Sequence, residues 1–300
     1  MSVQIIVDST VDLPQRCLDK VRVVPLTIRF GEEEWVDGVT ITKQRFYERL
    51  VESDQLPTTS QATPAAFAGV FEEVARAGDS AVVLTISSKL SGTYQSACLA
   101  AEAYPNIFVV DTQTAAIGSG ILAEYALTCA AGGMPAAALA QHLREKRDDV
   151  CLVALLDTLE YLKRGGRISK TVAFAGGLLN IKPVITVQDG EVVLIGKARG
   201  SRQGNNLLVE KIRATGGIDF INTHLESVFD TDTRGCGSTT QGKDTTDLDR
   251  FVSCGGISCG GGSLFLLACT CSEAAECQQQ CQQQCQDLVA SFHYFSSLVN

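Results

Sequence analysis

Apolar residues follow two different periodicities along the first two thirds of the chain. Short, nearly continuous apolar runs, typical of buried strands, alternate with stretches in which apolar residues recur every three to four positions, as on one face of a helix. The strand-like runs span residues 3–7, 23–30, 81–86, 107–111 and 151–156. The helix-like stretches lie near residues 42–50, 64–77, 91–103, 118–131 and 135–147. This alternation predicts an α/β fold in which helices cover a sheet.

A change of pattern after about residue 150 predicts a second domain. Two β-rich runs are joined by Asp189-Gly190, which is a strong hairpin signal. The two runs span residues 183–187 and 191–195. Three hundred residues is also too long for one compact core. We therefore predict an N-terminal α/β domain over residues 1–155 and the start of a second α/β domain over residues 156–220.

Residues 221–300 differ in composition from the rest of the chain. Eight of the twelve cysteines lie between Cys236 and Cys285, and residues 277–286 read CQQQCQQQCQ. A low-complexity segment of this kind cannot be assigned a fold from its pattern. We expect this atypical tail to be poorly ordered from about residue 222 and not to complete the second domain. A shifted reading frame and a natural unstructured appendage both explain it, and the sequence does not separate them.

Bulk composition narrows the classes of partner. A net charge of -9 gives no support for a nucleic-acid or anionic-membrane partner through bulk electrostatics. No apolar stretch approaches the roughly 20 residues that a membrane helix needs, and the N-terminus lacks the pattern of a signal peptide. The contents of 45% hydrophobic and 20% charged residues are ordinary for a globular protein. Together, these observations predict a cytoplasmic protein without a nucleic-acid partner.

Two polar loops are the strongest candidates for a ligand site. Ser91 and Gly92 fall between a buried strand and a helix, where free backbone N–H groups and the helix dipole suit an anion. Thr59 adds a second hydroxyl if its loop folds over the same crevice. Such donors bind a carboxylate without a fixed countercharge, which fits a monoanionic, mostly apolar ligand. Capping statistics alone favour a plainer interpretation, with Ser91 as a helix N-cap and Thr59 as an ordinary loop residue.

Six segments, in the same order along the chain, resemble segments of the DegV family. They read DST-x-DLP at 8–14, P-x-TSQ at 57–61, SS-x-LSGTY at 87–94, VDT at 110–112, YL-x-x-GGRIS at 161–169 and LL-x-IKP at 178–183. Any one of them is weak, but six in register are specific. The resemblance implies a two-domain α/β protein that holds one long-chain fatty acid, such as palmitate, in a tunnel between the domains, without a cofactor.

The same resemblance implies a role for particular residues. Thr59 and Ser91, together with the N–H of Gly92, would bind the fatty-acid carboxylate. The protein would be a carrier and not an enzyme, presenting its acyl chain to a separate fatty acid kinase, with transient membrane contact. Arg167 and Arg202 would be solvent-facing groups on the kinase-facing surface near the tunnel mouth, since a guanidinium suits a phosphate or carboxylate.

One family motif has no counterpart in this chain. Family members end with a Thr-His-x-Gly-Pro-Gly-like segment, whose histidine lies near the bound carboxylate. The chain contains only His142, His224 and His293, and none of them precedes Gly-Pro-Gly. This departure puts in question the transfer of phosphate to the bound fatty acid by the kinase, even where lipid binding is retained.

Two enzyme classes remain as alternatives. Gly118–Ala123 matches the G-x-G-x-x-A string of dinucleotide sites, but six residues separate it from the strand ending at Asp111, so we interpret its glycines as helix packing. A serine hydrolase using Ser91 would need a nearby histidine, and none occurs in that part of the sequence. The tail cysteines lack the C-x2-C spacing of common metal sites, so no metal site is predicted. Since neither enzyme class is favoured, no catalytic residue is predicted.

Overall fold

The computed structural model describes residues 2–53, 55–156, 158–168, 181–214, 220–227 and 263–270, the last two ranges by their backbone. Its strands and helices are, in chain order, β1 (Val3–Asp8), α1 (Gln15–Leu18), β2 (Val21–Val24), β3 (Thr27–Phe30), β4 (Glu33–Val36), α2 (Lys43–Glu52), β5 (Thr58–Ser60), α3 (Pro64–Arg76), β6 (Ser80–Thr85), α4 (Thr93–Ala101), β7 (Ile107–Asp111), α5 (Ala116–Ala131), α6 (Ala136–Lys146), β8 (Cys151–Leu155), α7 (Glu160–Arg164), β9 (Ile181–Gln188), β10 (Glu191–Arg199), α8 (Gly200–Arg213), β11 (Phe220–Ser227) and β12 (Ser263–Thr270). The α/β fold predicted from the apolar pattern is confirmed.

A four-stranded parallel sheet forms the centre of the N-terminal half, in the order β2-β1-β6-β7. Its inner strands are buried on both faces, as expected for a parallel sheet covered by helices. Along β6, Val82 and Leu84 point to the core formed with α5 and α6, whereas Ala81 and Val83 point to the core formed with α3 and α4. This alternation of side chains explains why β6 reads as a continuous apolar run.

A second, smaller sheet has the antiparallel order β4-β3-β5. We expected residues 23–30 to form one strand, and that expectation was wrong. β2 ends at Val24 in the parallel sheet, and β3 begins at Thr27 in the small sheet. Pro25 stands between them, and because proline has no N–H to donate to a strand ladder, the chain changes sheets there. Phe30 and Phe46 pack this small sheet against α2.

A third sheet has five antiparallel strands in the order β10-β9-β8-β12-β11. The predicted Asp-Gly hairpin is confirmed, since Asp189 and Gly190 form the turn between β9 and β10 with φ of 51° and 81°. Helix α8 covers this sheet, and its Gly204 lies so close to Leu155 that an added Cβ would be 2.4 Å from Leu155 Cδ2.

The tail beyond residue 220 differs from the expectation at two places. β11 and β12 belong to the five-stranded sheet, and β12 lies between β8 and β11, with Phe265 opposite Leu155. The expectation that this tail does not complete the second domain is therefore wrong for residues 263–270, whose backbone pairs within the sheet. The apolar run at residues 263–270 is visible in the sequence, but the Gly- and Cys-rich segments around it are not typical of a strand's surroundings, so it was not predicted as a strand. Residues 228–262 and 271–300, including the Gln/Cys repeat, lie outside the described residues.

A shared apolar core joins the two sheets. Ile86 and Leu90 from the parallel-sheet half pack in one cluster with Leu152, Leu162 and Ile185 from the other half. The division at residues 155 and 156 stays a prediction. None of the described helices combines the length and apolar character that crossing a bilayer requires.

Candidate functional site

A cavity of about 330 Å³ lies at the carboxyl edge of the parallel sheet. Its lining residues are Thr10, Leu26, Thr59, Ser60, Gln61, Ile86, Leu90, Ser91, Gly92 and Arg167. The chain leaves the adjacent strands β1 and β6 towards opposite sides, because β2 lies beside β1 and β7 lies beside β6. Such a topological switch point is the usual ligand position of an open α/β sheet. Its volume lies at the lower end of the range for small-molecule sites.

The carboxylate of Asp8 organises the back of this cavity. It lies at the end of β1 and is fully buried. Its Oδ1 accepts hydrogen bonds from the N–H of Thr10 at 2.9 Å and from the Thr10 hydroxyl at 2.5 Å, and its Oδ2 accepts one from the N–H of Ile86 at 2.7 Å. Burial raises the pKa of the Asp8 carboxyl, and these three donors oppose that effect. Asp8 therefore ties together the loops that follow β1 and β6.

Ser91 and Gly92 lie where the loop after β6 enters helix α4. The Ser91 Oγ accepts a hydrogen bond from the N–H of Thr93 at 3.3 Å and lies 2.9 Å from the Thr93 hydroxyl. If the Thr93 hydroxyl donates to Ser91, the Ser91 proton remains available to a ligand. The plainer interpretation of Ser91 as the helix N-cap differs from the structure, in which Gly92 is the N-cap of α4 and no side chain caps the helix. Ser91 lies one residue before the cap, and its hydroxyl can accept a hydrogen bond locally and donate one outward.

Thr59 reaches the same cavity from the small sheet. It lies on β5, opposite Ile28 of β3, and its side chain is half-buried. Its hydroxyl has no hydrogen-bond partner among the residues that the structure describes. Because Thr59 and Ser91 line the same cavity, the loop that carries Thr59 does fold over the crevice, as the ligand hypothesis required.

Arg167 also lines the cavity, which differs from the expectation of a solvent-facing side chain. Its Nε donates to the carbonyl of Leu90 at 3.2 Å, and its Nη1 donates to the carbonyl of Gly165 at 2.6 Å. Partial burial lowers the pKa of the guanidinium. The turn at Gly165-Gly166 does not expose Arg167, because the side chain folds back onto the loop that precedes α4. Arg167 is thus partly buried rather than freely exposed, and its expected place on a kinase-facing surface stays a prediction.

Arg202 lies apart from these groups. It is exposed in the first turn of α8 and does not line the cavity. The structure thus brings together four of the five predicted site residues, namely Thr59, Ser91, Gly92 and Arg167.

Several lining residues were not singled out from the sequence. Thr10 and Gln61 supply polar groups, and Leu26, Ile86 and Leu90 supply apolar surface. Thr10 and Ile86 lie within two residues of the carboxyl ends of β1 and β6. The signal that could have found them is this position, since ligands of open α/β sheets contact the residues that follow strand ends.

The two enzyme alternatives gain no support from the site. Gly118 and Gly120 lie inside α5, and a Cβ on Gly120 would be 1.8 Å from the carbonyl oxygen of Asp12. The interpretation of these glycines as helix packing is confirmed. No histidine is among the described residues that line the cavity, and His142 instead lies 2.8 Å from the Tyr125 hydroxyl.

Comparison with solved structures places this arrangement among proteins of the same fold. A DegV family protein from Thermus thermophilus, described for its fatty acid binding, is 33% identical with a TM-score of 0.74, over 90% of this chain and 100% of that one. A stearic-acid-binding protein from Eubacterium ventriosum is 25% identical with a TM-score of 0.72, over 90% of this chain and 98% of that one.

Sequence comparison agrees with the structural likeness. A DegV domain-containing protein from Caldanaerobacter subterraneus subsp. tengcongensis is 36% identical over 222 residues, which are 73% of this chain and 79% of that relative. The family model described as "Uncharacterised protein, DegV family" matches residues 2–221, well over half of the chain. On both counts, the chain belongs to the DegV family.

Proposed function

We propose that this protein binds a long-chain fatty acid, with its carboxylate at Thr59, Ser91 and the N–H of Gly92. The observation that carries the proposal is the convergence of these groups, from two separate sheets, on one cavity at the start of a helix. The fatty-acid-binding proteins from Thermus thermophilus and Eubacterium ventriosum, which share this fold, support the ligand class.

The electrostatics of the cavity favour a monoanionic headgroup. Helix α4 directs its free N–H groups and the positive end of its dipole towards the cavity. Arg167 adds a cationic group that hydrogen-bonds two backbone carbonyls and pairs with no carboxylate in the part of the chain that the structure describes. A carboxylate would therefore meet two hydroxyls, a helix N-terminus and a guanidinium, which together offset its loss of water.

The apolar lining favours an alkyl chain behind that headgroup. Leu26, Ile86 and Leu90 face the cavity, and all three are buried. Ile86 and Leu90 also belong to the apolar core that joins the two sheets. An acyl chain that lies against these side chains would be removed from water, which favours an apolar ligand behind the headgroup.

We further propose that the bound fatty acid is presented to a fatty acid kinase. Arg202, exposed on α8 and apart from the cavity, is the residue we assign to contact with that partner. The Arg202→Ala protein should bind fatty acid as the parent does but give a slower kinase reaction with a purified fatty acid kinase. An unchanged kinase rate would remove Arg202 from that contact.

The fatty-acid proposal is tested by mass spectrometry of an organic extract of the purified protein, followed by titration of delipidated protein with palmitate. Ser91→Ala and Thr59→Ala should each cost on the order of 1–3 kcal/mol of affinity, because a buried carboxylate loses a charge-assisted donor. Thr58→Ala is the matched control, since Thr58 is an exposed neighbour on the same strand that does not line the cavity.

Two outcomes would contradict the proposal. An extract without fatty acid, together with no palmitate binding by the parent, would exclude the ligand class. Palmitate binding that is equally strong in the parent, Ser91→Ala and Thr59→Ala proteins would place the carboxylate elsewhere.

A further inference from the structure

The side chain of Gln61 spans the gap between the two elements that carry the proposed headgroup donors. It follows β5, and its Nε2 donates a hydrogen bond to the Oγ of Ser96 on α4 at 2.8 Å. Ser96 is buried at 3% exposure, whereas Gln61 is exposed at the cavity. The hydrogen bond therefore anchors an exposed loop to the buried side of a helix.

Gly92 provides the space that this side chain occupies. A Cβ on Gly92 would lie 1.9 Å from the Oε1 of Gln61 and 2.8 Å from its Cδ. Gly92 has a φ of -73°, which any residue can adopt, so its backbone conformation does not require glycine. The requirement is steric, because the Gln61 carboxamide lies directly against the Gly92 Cα at the start of α4.

This contact lies next to both donor hydroxyls in the chain. Thr59 lies two residues before Gln61 on β5, and Ser91 directly precedes Gly92. Among the described strands, β5 is paired with β3 alone, so its other edge has no ladder of hydrogen bonds to hold it against α4. The hydrogen bond from Gln61 to Ser96 and the close contact at Gly92 link the residue after this edge directly to the helix.

We propose that Gln61 is a positioning residue for the headgroup site, holding β5 against the start of α4 so that the hydroxyls of Thr59 and Ser91 meet one carboxylate. This inference rests on the proposed fatty-acid binding and adds to it a residue that acts through Ser96 and Gly92. A gain in affinity from such preorganisation arises because the donors need not be ordered when the ligand binds.

A double-mutant cycle on delipidated protein tests the proposal, with palmitate as the probe. Gln61→Ala and Ser96→Ala should each raise the Kd on the order of 3–10-fold, the net effect of one neutral hydrogen bond. The double variant should bind about as well as either single variant, because both changes break the same link. Gln4→Ala is the control, since the Gln4 carboxamide also makes side-chain hydrogen bonds, to Ser2 and Asp79, but far from the cavity. Its Kd should equal that of the parent.

Gly92→Ala supplies an independent arm of the same test. In the parent it should weaken palmitate binding, because the new Cβ displaces the Gln61 carboxamide. In the Gln61→Ala background it should add little, because the atoms that it would meet are gone. Urea unfolding of each variant shows whether a change in Kd merely follows a loss of stability.

The outcomes separate this inference from the proposed function. A parent that does not bind palmitate would contradict the proposed function itself. A parent that binds, with a Gln61→Ala protein of unchanged Kd, would contradict the positioning role alone. Additive effects in the Gln61 and Ser96 cycle, or a much larger effect of Gln61→Ala than of Ser96→Ala, would also overturn it and indicate direct contact between Gln61 and the ligand.

Discussion

At the scale of single residues, Arg167 changes the expected chemistry of the proposed headgroup site. The sequence suggested neutral donors without a fixed countercharge, and the structure adds a half-buried guanidinium to the cavity lining. Two backbone carbonyls orient this group, those of Leu90 and Gly165. A positive charge held in this way attracts an anion without losing its own hydrogen bonds.

Replacing Arg167 should therefore weaken fatty-acid binding, contrary to what an exposed arginine would predict. Arg167→Ala should cost about 1–3 kcal/mol of palmitate affinity, and Arg167→Lys should fall between it and the parent, because lysine keeps the charge but not the planar fork. Titration calorimetry on delipidated protein measures this. Arg202→Ala is the control and should bind normally. Normal binding by Arg167→Ala would return Arg167 to the role of a partner contact.

A second residue-scale feature is the buried carboxyl of Asp37. It is 4% exposed in the turn after β4, and its Oδ2 has no hydrogen-bond partner. Burial raises its pKa from 3.8 to about 7, and the neighbouring charges of Asp8 and Asp12 act in the same direction, whereas the hydrogen bond with Ser9 and the charge of Lys43 oppose it. The folded chain thus holds a proton that the unfolded chain releases from about pH 4 upward.

Because the folded state binds the additional proton, Asp37 makes the protein less stable as the pH rises from about 4 through about 7. The Asp37→Asn protein lacks this titration, so its free energy of unfolding should exceed that of the parent increasingly between pH 5 and pH 8, by on the order of 1–3 kcal/mol. Urea unfolding at several pH values measures the difference. The exposed Asp148 supplies the control variant Asp148→Asn, and a pH-independent difference for Asp37→Asn would refute the assignment.

At the scale of secondary-structure elements, the hairpin of β9 and β10 contacts the loop that carries Ser91. The Ser87 hydroxyl donates to the carbonyl of Gly190 at 2.7 Å in a buried hydrogen bond. A Cβ on Gly190 would lie 2.5 Å from the Oγ of Ser87. The hairpin tip therefore lies directly against the loop after β6, and it helps to hold that loop in place.

Gly190→Ala should separate this hairpin from the loop. Gly133→Ala is a matched control, because Gly133 has a similar φ of +85° against +81° but nothing within 4 Å of an added Cβ. Both changes should lose on the order of 1–2 kcal/mol of stability from the positive φ. Gly190→Ala should lose about 1–3 kcal/mol more, because a buried hydrogen bond is broken, and should also release palmitate faster. Equal stability and equal release rates for the two variants would show that the contact contributes nothing.

At the scale of the whole molecule, the position of β12 determines whether the five-stranded sheet is complete. β12 pairs with β8 on one side and with β11 on the other. Without it, β8 would have an unpaired edge next to the buried side chains of Val153 and Leu155. An exposed edge of this kind invites pairing with other chains.

A chain ending after residue 227 should therefore be less stable and more prone to aggregate than a chain ending after residue 270. Both lack residues 271–300, so the comparison isolates the segment that contains β12. Thermal unfolding and size-exclusion chromatography measure the difference, and limited proteolysis of the full chain should preserve residues 263–270 in the resistant core. Equal stability of the two truncated chains would show that β12 is not part of the folded sheet, as the composition of the tail first suggested.

The sequence alone determined the local elements and the α/β class. Apolar period, glycine and proline positions and the Asp189-Gly190 turn are short-range signals, because they reflect the backbone preferences and burial of neighbouring residues. They located β6, β7, α5 and α6 to within a few residues. Six ordered motifs were enough to identify the resemblance to the DegV family, and the loop positions of Thr59 and Ser91 singled out both hydroxyls as headgroup candidates.

Only the tertiary structure decided what lies next to what. The small sheet brings Thr59 to Ser91, the turn after α7 returns Arg167 to Leu90, and Gln61 reaches Ser96 across the start of α4. None of these contacts leaves a periodic signal, because each depends on how separate elements pack and not on the preferences of adjacent residues. For the same reason, the apolar run at residues 263–270 could be recognised as a strand only from its pairing with β8.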